Sequence, residues 1–476
     1  MTLRKTFALG ASLLIMAALP QAATAQEAVV PVAPAEAAPI TLKDAIEVAM
    51  ATNPEIIQAQ MNTEAIQFER EQAQGRFAPT VDLEVTGGVR RLENQTRRAL
   101  GIADDWLEPV EIQLRGDWAL IDGGQRRAGV LYQAARVDGA SLRVTERSQF
   151  VALQVSRQYF DILLQERIVA AAQDNAAFHR SLVGDLATGV AQGSISIADQ
   201  QQAEERLQAA LVREAQAVEA LENARISLRR LTGLDIDQVV LPPNLAASMP
   251  TGLADAVARA RKDNPLVRES LADVDAANAA VDEAEGELSP TIGVEVVGRY
   301  GEDIDGFRGD TEDFRAQGYV RWRLFDGGIR RARVQEMVRR ASQTRYELHD
   351  RVRIAEEDVR VAWNAMTTQR QIVDVLTRQS QVSDDLLLSY RSQFNIGRRS
   401  LLDVLDAQNT RFNTQVRLET ARFSQDFAQY QVLAATNLLL SAMGVQPGVG
   451  AGMEERERFD YGPPVPAELQ RRRYAD

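Results

Sequence analysis

The chain has 476 residues, no cysteine, two histidines and a formal net charge of −13. The missing cysteines exclude disulfides, thiolate metal sites and a lipid-modified N-terminal cysteine, and His179 and His349 are too few for a histidine metal site or triad. The acidic balance, with no basic run to offset it, argues against nucleic acid as a partner, and no phosphate-cradling glycine motif points to a nucleotide cofactor.

Residues 1–25 read as a secretory signal peptide. Arg4 and Lys5 are basic, Phe7 to Leu19 form an apolar stretch, and Ala23-Thr24-Ala25 is a small-residue cleavage site. The apolar run is short of the roughly 20 residues that a membrane-spanning helix needs. Residues 26–40, rich in Ala, Pro and Val, form a flexible leader. The rest repeats itself. Asp44-Ala45-Ile46 and Asn53-Pro54 return 211 positions later as Asp255-Ala256-Val257 and Asn264-Pro265. The stretch from Trp118 to Gly124 returns at 204 as Trp322 to Gly328, and Gly193 and Asp199 return at 204 as Gly397 and Asp403. The spacing places a first repeat at 41–233, an inter-repeat segment at 234–250, a second repeat at 251–444 and a C-terminal tail at 445–476.

Each repeat has the same order of elements. One helix starts at the N-cap Thr41 and runs to the stop at Gly75 and Pro79. A β-hairpin over 80–121 follows, matched by one over 291–325. Val81, Leu83 and Val85 alternate with Asp82, Glu84 and Thr86, and Ile112, Leu114, Trp118 and Leu120 alternate with charged or polar neighbours. The second copy does the same through Ile292, Val294 and Val296, then Val320, Trp322 and Leu324. The polar face is too charged to be a core, and Trp118 and Trp322 sit on the apolar face near strand ends, as in the aromatic girdles of membrane barrels. Asp122-Gly123-Gly124 and Asp326-Gly327-Gly328 then switch the period to helical hairpins over 125–232 and 329–443. Leu348, Val352, Ala355, Val359, Ala362 and Met366 step by four and three, a coiled-coil seam. About 65 residues of helix make a rod of about 100 Å. Four strands per chain cannot close a barrel in lipid, so several chains must share one; two give eight strands and three give twelve.

Between the last two long helices lies Phe394-Asn395-Ile396-Gly397-Arg398-Arg399-Ser400, followed by Asp403 and Asp406. An i,i+3 pair shares one helix face. Several copies around an axis turn the two carboxylates into a ring of negative charge, which pores use to select cations. No nucleophile, metal or cofactor set accompanies these acids, so an enzyme has little support.

With these features the chain resembles the TolC family of outer-membrane channel proteins over essentially all of its mature length. The resemblance implies an α+β membrane channel: a homotrimer with a twelve-stranded β-barrel in outer-membrane lipid and a long periplasmic α-barrel. It implies a passive duct that receives cargo from an inner-membrane transporter through a periplasmic adaptor, with no cofactor. The Phe394 to Asp403 text looks most like type I secretion outlets for adhesins and agglutination proteins. The multidrug efflux factors of tripartite pumps are the alternative, and a periplasmic coiled-coil adaptor is the rival from another class. By the same resemblance Asp403 and Asp406 line a periplasmic constriction, and Arg399 or its neighbour Arg398 latches the closed gate onto Asp199. Phe394 stands where a tyrosine hydroxyl reinforces that latch. Gly193 and Gly397 mark hairpin tips where adaptors dock.

Overall fold

The computed structural model describes residues 40–459 except Asp237; the signal peptide, the leader before residue 40, and the tail beyond 459 with Arg471, Arg472 and Arg473 lie outside the described residues. The first repeat contains α1 (Leu42–Thr52), α2 (Pro54–Gly75), β1 (Thr80–Gly87), the short β2 (Arg90–Arg91), α3 (Gln95–Ala99) and β3 (Trp106–Leu107), then β4 (Val110–Ile121), α4 (Gln125–Ala191) and α5 (Ile197–Thr232). The second contains α6 (Leu253–Asp263), α7 (Pro265–Gly286), β5 (Thr291–Glu302), β6 (Asp310–Arg321), α8 (Ile329–Asn395), α9 (Leu401–Ala435) and α10 (Leu439–Met443). Equivalent helices agree closely in length, with 67 residues in α4 and α8, 22 in α2 and α7, 11 in α1 and α6, and 36 in α5 against 35 in α9. The duplicated text is a duplicated structure.

One expectation is corrected. The single helix from Thr41 to Gly75 is two, α1 and α2. Asn53 is extended at φ −70°, ψ 125°, ending α1 and capping α2, where its side chain accepts the Glu55 N–H at 3.0 Å. Pro54 lacks the N–H that a continuous helix needs and pushes the residue before it out of the helical region. Asn264 and Pro265 repeat the break between α6 and α7. The Asn53 amide also donates to the Leu231 carbonyl at 3.1 Å, and that of Asn264 to the Ala435 carbonyl at 3.3 Å. These bonds tie the start of α2 to the end of α5, and the start of α7 to the end of α9. In the second helical hairpin α9 stops at Ala435, and Asn437, at φ 60°, separates it from α10.

The four long strands form an antiparallel sheet in the order β1-β4-β5-β6. Its register places Leu83 beside Leu114, Ile112 beside Tyr300, and Val296 beside Ala316 on one face. That apolar face is uncovered: Leu83 is 66% exposed and Phe314 74%. The opposite face carries the polar network. Glu295 is buried between Arg115 and Arg315 and accepts from the Gln317 amide at 2.9 Å, and the Tyr319 hydroxyl donates to Asp117 at 3.1 Å. This inverts a soluble sheet. Among the described residues β1 and β6 have no neighbour on their outer edges.

The strand-to-helix turns are built alike. Gly123 and Gly124 have φ of 66° and 88°, and Gly327 and Gly328 have 70° and 87°, a region where a side chain is strained. Asp122 takes the Gly124 N–H at 3.2 Å and Arg126 Nε at 2.6 Å; Asp326 does the same with Gly328 and Arg330 at 3.1 and 2.7 Å. The indoles of Trp118 and Trp322 donate to the carbonyls of Phe77 and Leu288 at 2.9 and 3.1 Å, fixing each strand end to the preceding helix.

The main core lies midway along the helices, where α1, α4, α10 and the end of α5 bury Leu42, Ile46, Val155, Tyr159 and Leu228. The tail is not free here. From Val445 to Phe459 it packs along α4: Ser148 Oγ accepts the Gly448 N–H at 3.0 Å, Ser141 Oγ the Met453 N–H at 3.0 Å, and Asp138 the Glu455 N–H at 2.6 Å. Arg456 then joins Asp138 on α4, at 2.5 Å, to Asp275 on α7. Burial holds both carboxyls above the usual range, against the pull of Arg456.

Candidate functional site

The two helical hairpins end in tips of the same construction. After α4 the chain turns at Gly193, φ 73°, and Ser196 caps α5 by accepting the Asp199 N–H at 3.1 Å while its hydroxyl donates to the Asp199 carboxylate at 2.7 Å. After α8 it turns at Gly397, φ 71°, and Ser400 and Asp403 repeat that box at 3.3 and 2.8 Å. Asp199 and Asp403 are thus first-turn acids, where the helix dipole favours negative charge. Sequence reasoning gave them a latch and a pore and missed this capping role, although Ser-x-x-Asp was visible. Asp406, one turn further along α9, is exposed, and Asp403 is half-buried.

The arginines of the second tip part ways. Arg398 is exposed, and its backbone N–H closes the turn on the Gln393 carbonyl at 2.9 Å. Arg399 folds back on its own hairpin. Its guanidinium carbon is 4.1 Å from the centroid of the Tyr390 ring, its Nε donates to the Gln393 side-chain carbonyl at 3.3 Å, and its Nη1 is 3.8 Å from Asp403 Oδ2. Within the chain it is paired with Asp403, while Asp199 is engaged by Ser196. Phe394 packs into the apolar clusters where the hairpins meet, beside Leu182, Leu186, Leu405 and Leu387.

Other contacts cross from one hairpin to the other. Arg391 on α8 reaches Asp185 on α4 at 3.8 Å and lies 5.5 Å over the Phe178 ring. The Gln408 amide on α9 donates to Asn175 on α4 at 2.9 Å, both buried, and Arg213 on α5 donates to Asn409 on α9 at 2.9 Å. His179, also buried, has an Nδ1 without a partner. Its pKa is pushed down to about 4, first by burial and then by Arg213 and Arg206. Asn175, His179 and Gln408 occupy seam positions where the heptad elsewhere puts aliphatics; that interruption was their signal. Each buried leucine of the seam contributes about 1.5–3 kcal/mol, whereas an exposed ion pair adds about 0–1 kcal/mol. Apolar packing holds the hairpins together, and the polar contacts select their alignment. Among the described residues no group of His, Asp and Glu is placed to hold a metal ion. No described helix is long and apolar enough to cross a membrane, which says nothing of a β-barrel.

The sequence profile of the outer membrane efflux protein family matches residues 45–234 and 256–438. The chain is 26% identical over 323 residues to Protein CyaE of Bordetella pertussis, covering 66% of each chain. It is 25% identical over 350 residues to the outer membrane efflux protein BepC of Brucella suis, covering 72% of this chain and 76% of that one. The crystal structure of the Campylobacter jejuni CmeC outer membrane channel superimposes with a TM-score of 0.75 at 15% identity, over 84% of this chain and 86% of that one, a likeness of fold.

Proposed function

The chain belongs to the outer membrane efflux protein family, and from that premise we propose that three copies form a duct for type I protein secretion. As a member it is an outer-membrane channel protein and not an enzyme. Four strands with an uncovered apolar face and two unpaired edges carry the trimer: in lipid every strand edge needs a partner, and β6 of one copy can pair with β1 of the next. Eight strands leave an interior filled by side chains, so a duct needs more, and three copies supply twelve. On α8, Val361, Val375 and Val382 are exposed at multiples of seven, a seam awaiting a neighbouring helix.

In the trimer Asp403 and Asp406 ring the periplasmic mouth and favour cations, and Arg399 latches the mouth shut onto Asp199. The tips around Gly193 and Gly397 dock a periplasmic adaptor, which couples the duct to an inner-membrane transporter. Protein cargo is favoured over drugs by the Phe394 to Asp403 text and by the missing lipid-attachment cysteine. The efflux reading keeps one point in its favour, the similarity to BepC, which is named an outer membrane efflux protein.

Conductance in planar bilayers tests the mouth. Arg399→Ser is expected to widen the openings, and Asp403→Ala with Asp406→Ala to weaken block by trivalent cations from the periplasmic side. Unaltered conductance and unaltered block would sink the latch and the ring respectively. A deletion strain that secretes normally but gains drug sensitivity decides against type I secretion.

A further inference from the structure

We propose that Tyr390 is a positioning residue that sets where Arg399 rests, and through it couples the closure of the mouth to the charge of its ring; this deepens the ring and latch reading above. The internal duplication supplies the comparison. In the first hairpin Leu186 and Ile195 belong to one apolar cluster. The residues 204 positions later are Tyr390 and Arg399. These are again neighbours, with the guanidinium 4.1 Å from the ring centroid. Both members of the pair differ, from two aliphatics to an aromatic and a cation, while the glycine, serine and aspartate around them are the same in both tips. The ring is fixed by packing against Leu387, Val404 and Ala407, so its face is a prepared plate for a cation.

On that plate Arg399 lies 3.8 Å from Asp403, where it offsets one of the two carboxylates each chain gives to the ring. Asp199 lies on the other hairpin, and one guanidinium cannot serve both places. With Arg399 stowed on Tyr390 the latch is undone and Asp403 is neutralised. With Arg399 on Asp199 the latch is made and Asp403 stands bare. The closed mouth is therefore the more negative one. The ligand class this governs is a multivalent cation at the periplasmic entrance.

Single-channel recording of the purified full-length protein, with gadolinium(III) added on the periplasmic side, tests the proposal. Tyr390→Leu removes the plate, so openings become smaller or rarer and the half-blocking concentration falls by about two- to five-fold, the range an exposed cation–π contact supports. Tyr390→Phe keeps the ring and restores wild-type conductance. In an Arg399→Gln background Tyr390→Leu has no further effect. A leakier Tyr390→Leu channel, a Phe variant that behaves like Leu, or an effect that survives in the Arg399→Gln background overturns the proposal, because each marks Tyr390 as packing alone. The underlying reading fails separately. If Asp403→Ala with Asp406→Ala leaves block unchanged the ring is wrong, and the conductance of Tyr390→Leu still decides the stow. If Asp199→Ala leaves conductance unchanged the latch is wrong, and block still decides it.

Discussion

His179 and Glu269 show how single buried groups give the protein opposite responses to pH in different places. Burial, with Arg206 and Arg213 close by, pushes the imidazole of His179 down to about 4 from an ordinary 6.5. Between those values the unfolded chain binds a proton that the folded chain refuses, so stability is full above pH 6.5 and is lost as pH falls toward 4. Glu269, on α7, is pushed up to about 7, first by burial and then by Asp273 and Glu146, against Arg143. Its folded form holds a proton that the unfolded chain releases above about 4.5, so its contribution is present at low pH and lost as pH rises through 7. Melting curves of His179→Leu are expected to lose part of the acid destabilisation between pH 6.5 and 4, and Glu269→Gln to gain midpoint at pH 8 relative to wild type. A His179→Leu variant as acid-sensitive as the parent would show that the imidazole is neutralised some other way.

Among the elements, those defined by local rules were legible and those defined by distant partners were not. The period-two strands, the Asp-Gly-Gly turns and the four-three stepping of α8 follow from side-chain geometry within a few residues, and the duplication shows each of them twice. The split between α1 and α2 is also written in the chain, in Asn53-Pro54 and Asn264-Pro265, although apolar periodicity runs across the break and masks it. At the tips the text located Asp199 and Asp403 but not the stow of Arg399, since Tyr390 lies nine residues away across a turn. The belt from Val445 to Phe459 was illegible for a different reason. It has no periodicity, and it is ordered by Ser148, Ser141 and Asp138, polar residues on one face of α4 about 300 positions away in sequence. Arg456→Leu removes the cation that joins Asp138 to Asp275, a broken buried pair that costs about 3–5 kcal/mol. A clear drop in thermal midpoint and protease cleavage near residue 450 are expected, and full stability would mean that the belt is held by its backbone bonds alone.

For the whole molecule, the duplication predicts what a neighbouring copy must touch. Within the chain the second repeat meets the first where Gly286, at the end of α7, lies against the start of α4; a Cβ there would come within 2.9 Å of the Gln125 backbone. The first-repeat counterpart of Gly286 is Gly75, at the end of α2, and its Cβ would meet nothing within 4 Å. The counterpart of Gln125 is Ile329, at the start of α8, which is 71% exposed. If β6 of one copy joins β1 of the next as β4 joins β5, the space beside Gly75 is filled by the neighbour's helix start. Neither glycine has a positive φ, so alanine is unstrained in the backbone, and in an isolated chain Gly75→Ala should be neutral or stabilising by up to about 1 kcal/mol. In the assembled barrel the added methyl strikes a backbone that cannot give. Gly75→Ala is therefore expected to fold, to keep the secondary structure of the parent, and to yield little trimer on native electrophoresis, whereas Gly286→Ala should fail earlier, in the fold of the single chain. Normal trimer yield from Gly75→Ala would mean that the junction between copies is not the junction between repeats.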